Sequence, residues 1–136
     1  VRISAKRIIL TENRALLIKM YKTGWYRKDP KSLVIGIDGR LRLAHRRFLK
    51  LLRDSSPSVP CFIWTDSDSS GISFIKDLHD IFPESRIVLM DEKSLKVLAF
   101  KDFLVEIKEN PRLLNREQES FLGGPLEWDE LFDIKN

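Results

Sequence analysis

Cys61-Phe62-Ile63-Trp64-Thr65-Asp66-Ser67-Asp68-Ser69-Ser70-Gly71 is an apolar run that stops at two carboxylates spaced one residue apart, followed by a glycine. The run is too short for a helix, so residues 61–65 read as a strand covered on both faces. Residues 66–71 read as the turn leaving it, and residues 72–81 as a helix closed by Pro83. Gly71 permits a sharp turn and a close start to that helix.

The flanking sequence repeats the pattern. Arg7-Ile8-Ile9-Leu10-Thr11, Ser32 to Ile37 (SLVIGI) and Arg86 to Met90 (RIVLM) are further short apolar runs and read as strands. Residues 13–23 carry Ala15, Leu16 and Met20 near helical spacing and stop at Gly24; residues 25–31, with Trp25, Tyr26 and Pro30, read as a loop. A second helix is expected over residues 41–53, with Leu41, Ala44, Phe48, Leu51 and Leu52 as its apolar stripe and Arg42, Arg46, Lys50 and Arg53 as a basic one. Residues 55–60 are a Ser/Pro linker. From Asp91 onward no strand is expected, only two or three helices broken at Asn110-Pro111 and Gly123-Gly124-Pro125. Strands alternating with helices predict an α/β fold, Rossmann-like, with a four-stranded parallel sheet flanked by helices. Residues 1–90 form the expected core, and residues 91–136 a helical C-terminal extension of the same domain.

In such sheets ligands bind outside the carboxyl ends of the strands. Glu12 follows the first strand, Asp38 the second, Asp66 and Asp68 the third and Asp91 the fourth. All are therefore expected on one edge. Crowded carboxylates repel one another, and a divalent cation relieves that repulsion. Mg²⁺ or Mn²⁺ suits the set, because a hard octahedral ion takes a few carboxylates and fills its shell with water. Asp66 and Asp68 equally suit turn and N-cap chemistry. Asp38 reads as a turn residue or a ligand, and Asp91 as the N-cap of a following helix or a ligand. A calcium loop of the EF-hand type fails, because Asp77 stands where a glutamate is needed and a strand precedes the loop. A phosphate-accepting aspartate at Asp66 is a further, weaker reading.

Composition bounds the function. The 136 residues, 43% hydrophobic and 32% charged, suit one globular domain. The lone Cys61 excludes an internal disulfide and suits a reducing compartment, cytoplasmic or nuclear. No stretch has the length of a membrane span, no signal peptide is visible, and the chain reads as a domain excised from a longer protein. Residues 1–60 hold 15 Lys and Arg against four Asp and Glu, whereas residues 61–136 hold nine against 16. A basic half of this kind points to a polyanion, and Arg42, Arg46, Lys50 and Arg53 are either the candidate contacts to its charges or a solvated helix face. His45 lies beside that stripe. His79 reads as a surface residue and Trp64 as core. Trp25 and Tyr26 are candidate base-stacking residues, and Glu117, Gln118 and Glu119 either point toward the metal edge or, as the default, form a charged helix surface.

Leu10-Thr11-Glu12-Asn13 together with Asp66-x-Asp68-x-x-Gly71 resembles the Toprim domain of topoisomerases, primases and related nucleases. Gly36-x-x-Gly39 followed by Ala44-His45-Arg46-Arg47-Phe48-Leu49 is similar to the Toprim of topoisomerase VI A subunits and their meiotic double-strand-break relatives. The tail, with Met90-Asp91 and residues 115–119, resembles the C-terminal Toprim of the Wadjet plasmid-defence nuclease subunit. The likeness spans residues 6–90. Ser69-Ser70 and Arg40-Leu41-Arg42 depart from the family pattern. The resemblance implies a Mg²⁺- or Mn²⁺-dependent site in which Asp66 and Asp68 are ligands and Glu12 is a further ligand or a general acid/base. It implies cleavage of DNA phosphodiester bonds within a larger assembly, and it is compatible with a homodimer. The topoisomerase relatives cleave with a tyrosine on a separate domain, which neither Tyr21 nor Tyr26 matches; the nucleophile is then a partner tyrosine or water. The alternative is a nucleic-acid-binding or assembly module whose acidic site is degenerate.

Overall fold

The structure, a computed structural model, describes residues 4–12, 14–24, 31–38, 40–92, 94–122 and 131. Five strands, β1 (Arg7–Thr11), β2 (Ser32–Gly36), β3 (Cys61–Ile63), β4 (Arg86–Asp91) and β5 (Ser94–Ala99), form one sheet in the order β2-β1-β3-β4-β5. The first four run parallel, with Leu10 opposite Ile63 and Thr11 opposite Gly36, and β5 is antiparallel to β4. The helices are α1 (Arg14–Lys22), α2 (Leu43–Ser55), α3 (Ser69–Ile81) and α4 (Phe100–Glu109). This is an α/β fold with a mostly parallel sheet, compatible with a Rossmann-like arrangement. None of the described helices is long and apolar enough to cross a membrane.

The two-residue period of a strand explains the layers. Ile8, Leu10, Cys61, Ile63, Ile87 and Leu89 face one side, where Leu49 and Leu52 of α2, Phe74 and Leu78 of α3 and Phe103 of α4 cover them. Ile9, Phe62, Trp64, Val88 and Met90 face the other, against Leu16 and Met20 of α1 and Phe121 and Leu122. The connection β1-α1-β2 moves one way along the sheet, whereas β2-α2-β3 and β3-α3-β4 move the other. Right-handed crossovers then require α1 on the face opposite α2 and α3, as observed.

Five expectations are corrected. The sheet has five strands, and residues 91–136 are not purely helical, because Ser94–Ala99 pairs along the whole of β4. The chain reverses after Asp91 with Glu92 at φ 44°, a left-handed turn made without glycine. Asp91 is thus the last residue of a strand, not the N-cap of a helix. The helix after β3 starts at Ser69, three residues earlier than expected, because Asp68 caps it. The apolar stripe expected on α2 is largely turned to solvent: Leu41 and Leu52 are buried, but Ala44, Phe48 and Leu51 are exposed, and Leu49 takes the core position.

Candidate metal centre

β1 and β3 are neighbours whose following connections depart to opposite faces of the sheet. Their carboxyl ends flank the crevice where open α/β sheets bind ligands. Glu12 leaves β1 on one side of it, and Asp66 and Asp68 leave β3 on the other. The ladder continues to the rim, with Trp64 N–H donating to the Leu10 carbonyl at 2.9 Å and Ile37 N–H to the Thr11 carbonyl at 2.9 Å.

Each carboxylate has a defined neighbour. Asp68 Oδ1 accepts the Gly71 N–H at 2.7 Å and so caps α3. Asp66 Oδ1 accepts the Gln118 N–H at 2.8 Å. Glu12 Oε2 accepts the Ser70 hydroxyl at 3.2 Å, which ties the end of β1 to the first turn of α3. Burial pushes the Glu12 carboxyl above its ordinary value. The Ser70 hydrogen bond pulls it back, and the negative charges of Asp68 and Asp66 push it further up. Glu12 therefore feels the charge of both aspartates. Gly71 is required for this packing: a Cβ there would overlap the Asp66 carbonyl oxygen and crowd Thr65 Oγ1.

A segment distant in sequence supports the loop. Ser67, buried between the two aspartates, donates its hydroxyl to the Leu113 carbonyl at 2.7 Å and accepts the Arg116 N–H at 2.8 Å. The Ser67 N–H donates to the Arg116 carbonyl at 3.0 Å, and the Asn115 N–H to the Ser67 carbonyl at 3.1 Å. Gln118 is 1% exposed, and its Oε1 accepts the Thr11 hydroxyl at 3.2 Å. One residue thus joins the ends of β1 and β3, through its side chain and its backbone. Gln118 Nε2 is buried without an acceptor among the described residues. Glu117 and Glu119 are exposed, and Glu119 pairs with Lys19 at 2.6 Å. The expected charged surface therefore holds for these two and fails for Gln118. Gln118 is thus the one of the three that turns toward the acidic edge, whereas Ser67 is not legible as a site residue, since a bond reaching 46 residues along the chain leaves no local pattern.

The remaining candidates are spread out. Asp38 follows β2 and is exposed. Asp91 accepts from Arg112 Nη1 at 2.8 Å, so it is engaged in an ion pair. Arg42 precedes α2, and its N–H donates to His45 Nδ1 at 3.1 Å. Arg46 is half-buried and Lys50 exposed on the same helix. Arg53, about 16 Å along the axis from Arg42 at 1.5 Å per residue, donates from Nη1 to the Ile81 carbonyl at 3.0 Å and from Nε to Asp54. It ties two helix ends together at the other edge of the sheet. Trp64 is core, with 0% exposure. His79 is half-buried and stacked on Phe100, not a plain surface residue. Tyr21 is exposed on α1, while Trp25 and Tyr26 lie outside the described residues.

Among the described residues, no three His, Cys, Asp or Glu side chains form a ready-made metal cage. The donor set nonetheless fits a hard divalent ion that keeps most of its water, because such an ion needs only one or two carboxylates. Asp66 and Asp68 each commit one oxygen to a backbone N–H, leaving the second without a partner among the described residues. Cys61 does not contribute, because its thiol is buried and burial holds it protonated. No family model matches the chain, and no curated protein matches it.

Proposed function

We propose that this chain is a Toprim-type module that acts with Mg²⁺ or Mn²⁺ on DNA phosphodiester bonds, as part of a larger assembly. The observation that supports the reading is the placement of Glu12, Asp66 and Asp68 at the crevice between β1 and β3, with the Glu12 carboxyl raised by burial and, to a lesser extent, by the two aspartates. Asp66 and Asp68 would hold the ion through their uncommitted oxygens. The chemistry a bound divalent ion supplies is neutralisation of charge on a scissile phosphate. Glu12, more readily protonated than an ordinary glutamate, exchanges a proton with the attacking or leaving oxygen. Ser70 orients its carboxyl, and Gln118 with Ser67 holds the two strand ends in place. Arg42 and Arg46, at the start of α2, neutralise backbone phosphates without reading sequence.

The test is supercoiled plasmid incubated with the purified chain and Mg²⁺ or Mn²⁺. Nicked circles are expected, and chelation or Asp66→Ala should abolish them. Equal nicking by the variant would refute the assignment.

A second reading has its own support. Asp68 is an N-cap and Asp66 a backbone acceptor, so both have structural roles that survive without metal. In that reading the chain is a non-catalytic nucleic-acid-binding or assembly module. DNA binding then persists in EDTA and in Asp68→Asn, and falls steeply with salt.

A further inference from the structure

A cleft of about 1040 Å³ opens at the edge of the sheet opposite the acidic site. Lys6 and Arg7 at the start of β1, Arg53 at the end of α2, Arg86 at the start of β4 and Lys101 in the first turn of α4 line it, against a single acid, Glu84. In a parallel α/β sheet this edge collects helix carboxyl ends, whose free carbonyls attract cations. Arg53 is used in that way, through its bond to the Ile81 carbonyl. Lys6 and Lys101 are not: both are exposed, and neither ammonium has a carboxylate partner among the described residues.

The antiparallel β5 changes the character of this edge. Its carboxyl end, Ala99, lies opposite Arg86, and the ten-residue α4 begins there. Ala99 offers no side-chain cap to the first-turn N–H groups of α4, whose own first turn carries one acid, Asp102. The cleft thus has cations and a helix amino end together. Part of its wall is aromatic: the His79 and Phe100 rings, both half-buried, stack at 4.0 Å and 16°. Flat apolar surface next to cations is the chemistry that takes a base and its phosphates, and the volume is ample for a small-molecule site.

We infer that this cleft binds a nucleotide, its phosphates held by Lys6, Lys101 and the amino end of α4 and its base against the His79–Phe100 pair. Free nucleotides and the phosphorylated end of a single strand share this chemistry. The inference is independent of the metal-site reading, because no residue is common to both.

Calorimetric titration of the whole chain with ADP, with pyrophosphate and with a 5′-phosphorylated oligothymidylate tests it. Binding of ADP or of the oligonucleotide with unit stoichiometry is expected, and it identifies the source. The double variant Lys6→Glu/Lys101→Glu, both positions being exposed, should weaken that binding at least tenfold while leaving the melting profile unchanged. Lys76→Glu, exposed on α3 and not lining the cleft, should not weaken it. Phe100→Ala should weaken ADP more than pyrophosphate. Three results would overturn the assignment: no binding of either nucleotide probe, equal affinity for ADP and pyrophosphate, or affinity unchanged in the double variant.

Discussion

Asp68 is assigned two roles, capping α3 and holding a metal, and substitution separates them. Asp68→Ala removes the 2.7 Å acceptor of the Gly71 N–H. Loss of an N-cap costs about 1 kcal/mol, and loss of a carboxylate at a helix amino end roughly 0.3–1 kcal/mol more. Relief of repulsion on Glu12 offsets a part of this. A net loss of about 1 kcal/mol lowers Tm by about 3–5 °C in a chain of this size. Asp68→Asn keeps an acceptor of equal capping strength, so its metal-free Tm should stay close to that of the wild type. The two roles then diverge on adding Mg²⁺. Wild type held at tenfold its dissociation constant gains about 1.4 kcal/mol, whereas neither variant should gain a comparable amount. Thermal melts followed by circular dichroism, with and without Mg²⁺, read all six values. If Asp68→Asn is as unstable as Asp68→Ala, the capping argument fails. If it is stabilised by Mg²⁺ as much as wild type, Asp68 is not a ligand.

Further outcomes follow from the same geometry. Glu12 binds its proton more tightly in the folded chain than in the unfolded one, so its contribution favours folding below the ordinary carboxyl value of 4.5 and is lost as pH rises through the raised folded value. Metal-free Tm measured against pH should show this fall in wild type and not in Glu12→Gln, and Mg²⁺ should oppose it. Gly71→Ala forces a Cβ into the Asp66 carbonyl and should cost about 1–3 kcal/mol by denaturant titration, with loss of metal binding; an unchanged midpoint would mean that the loop is not tightly packed. Phe103→Ala should cost about 3–5 kcal/mol, because the ring is 2% exposed in the core beneath α4. Truncation after Asp91 should abolish cooperative unfolding, since it removes β5 and α4 from the same core; a sharp transition in the truncated chain would make residues 91–136 a separate unit.

The four parallel strands were legible because burial on both faces leaves unbroken apolar runs such as Ile8-Ile9-Leu10 and Ile87-Val88-Leu89. β5 was not, since an edge strand exposes Ser94 and Lys96, and its turn places Glu92 at positive φ without the usual glycine. On α2, Ala44, Phe48 and Leu51 match a helical stripe as well as Leu49 and Leu52 do, and only the packing against the sheet selects between them. Glu12, Asp66 and Asp68 could be grouped because strand polarity alone carries them to one edge. Ser67 could not, because its importance lies in bonds to backbone far along the chain, and Gln118 could be placed near that edge only as one of two readings, since its bonds to Asp66 and Thr11 also span distant sequence.

The most direct test of the central claim is a Mn²⁺ titration of the metal-free chain, followed by electron paramagnetic resonance, beside Asp66→Ala shown by circular dichroism to be folded. One bound ion per wild-type chain, displaced by excess Mg²⁺ and lost in the variant, is the predicted result. Absence of binding at millimolar Mn²⁺, or undiminished binding in Asp66→Ala, would contradict a metal centre at Glu12, Asp66 and Asp68.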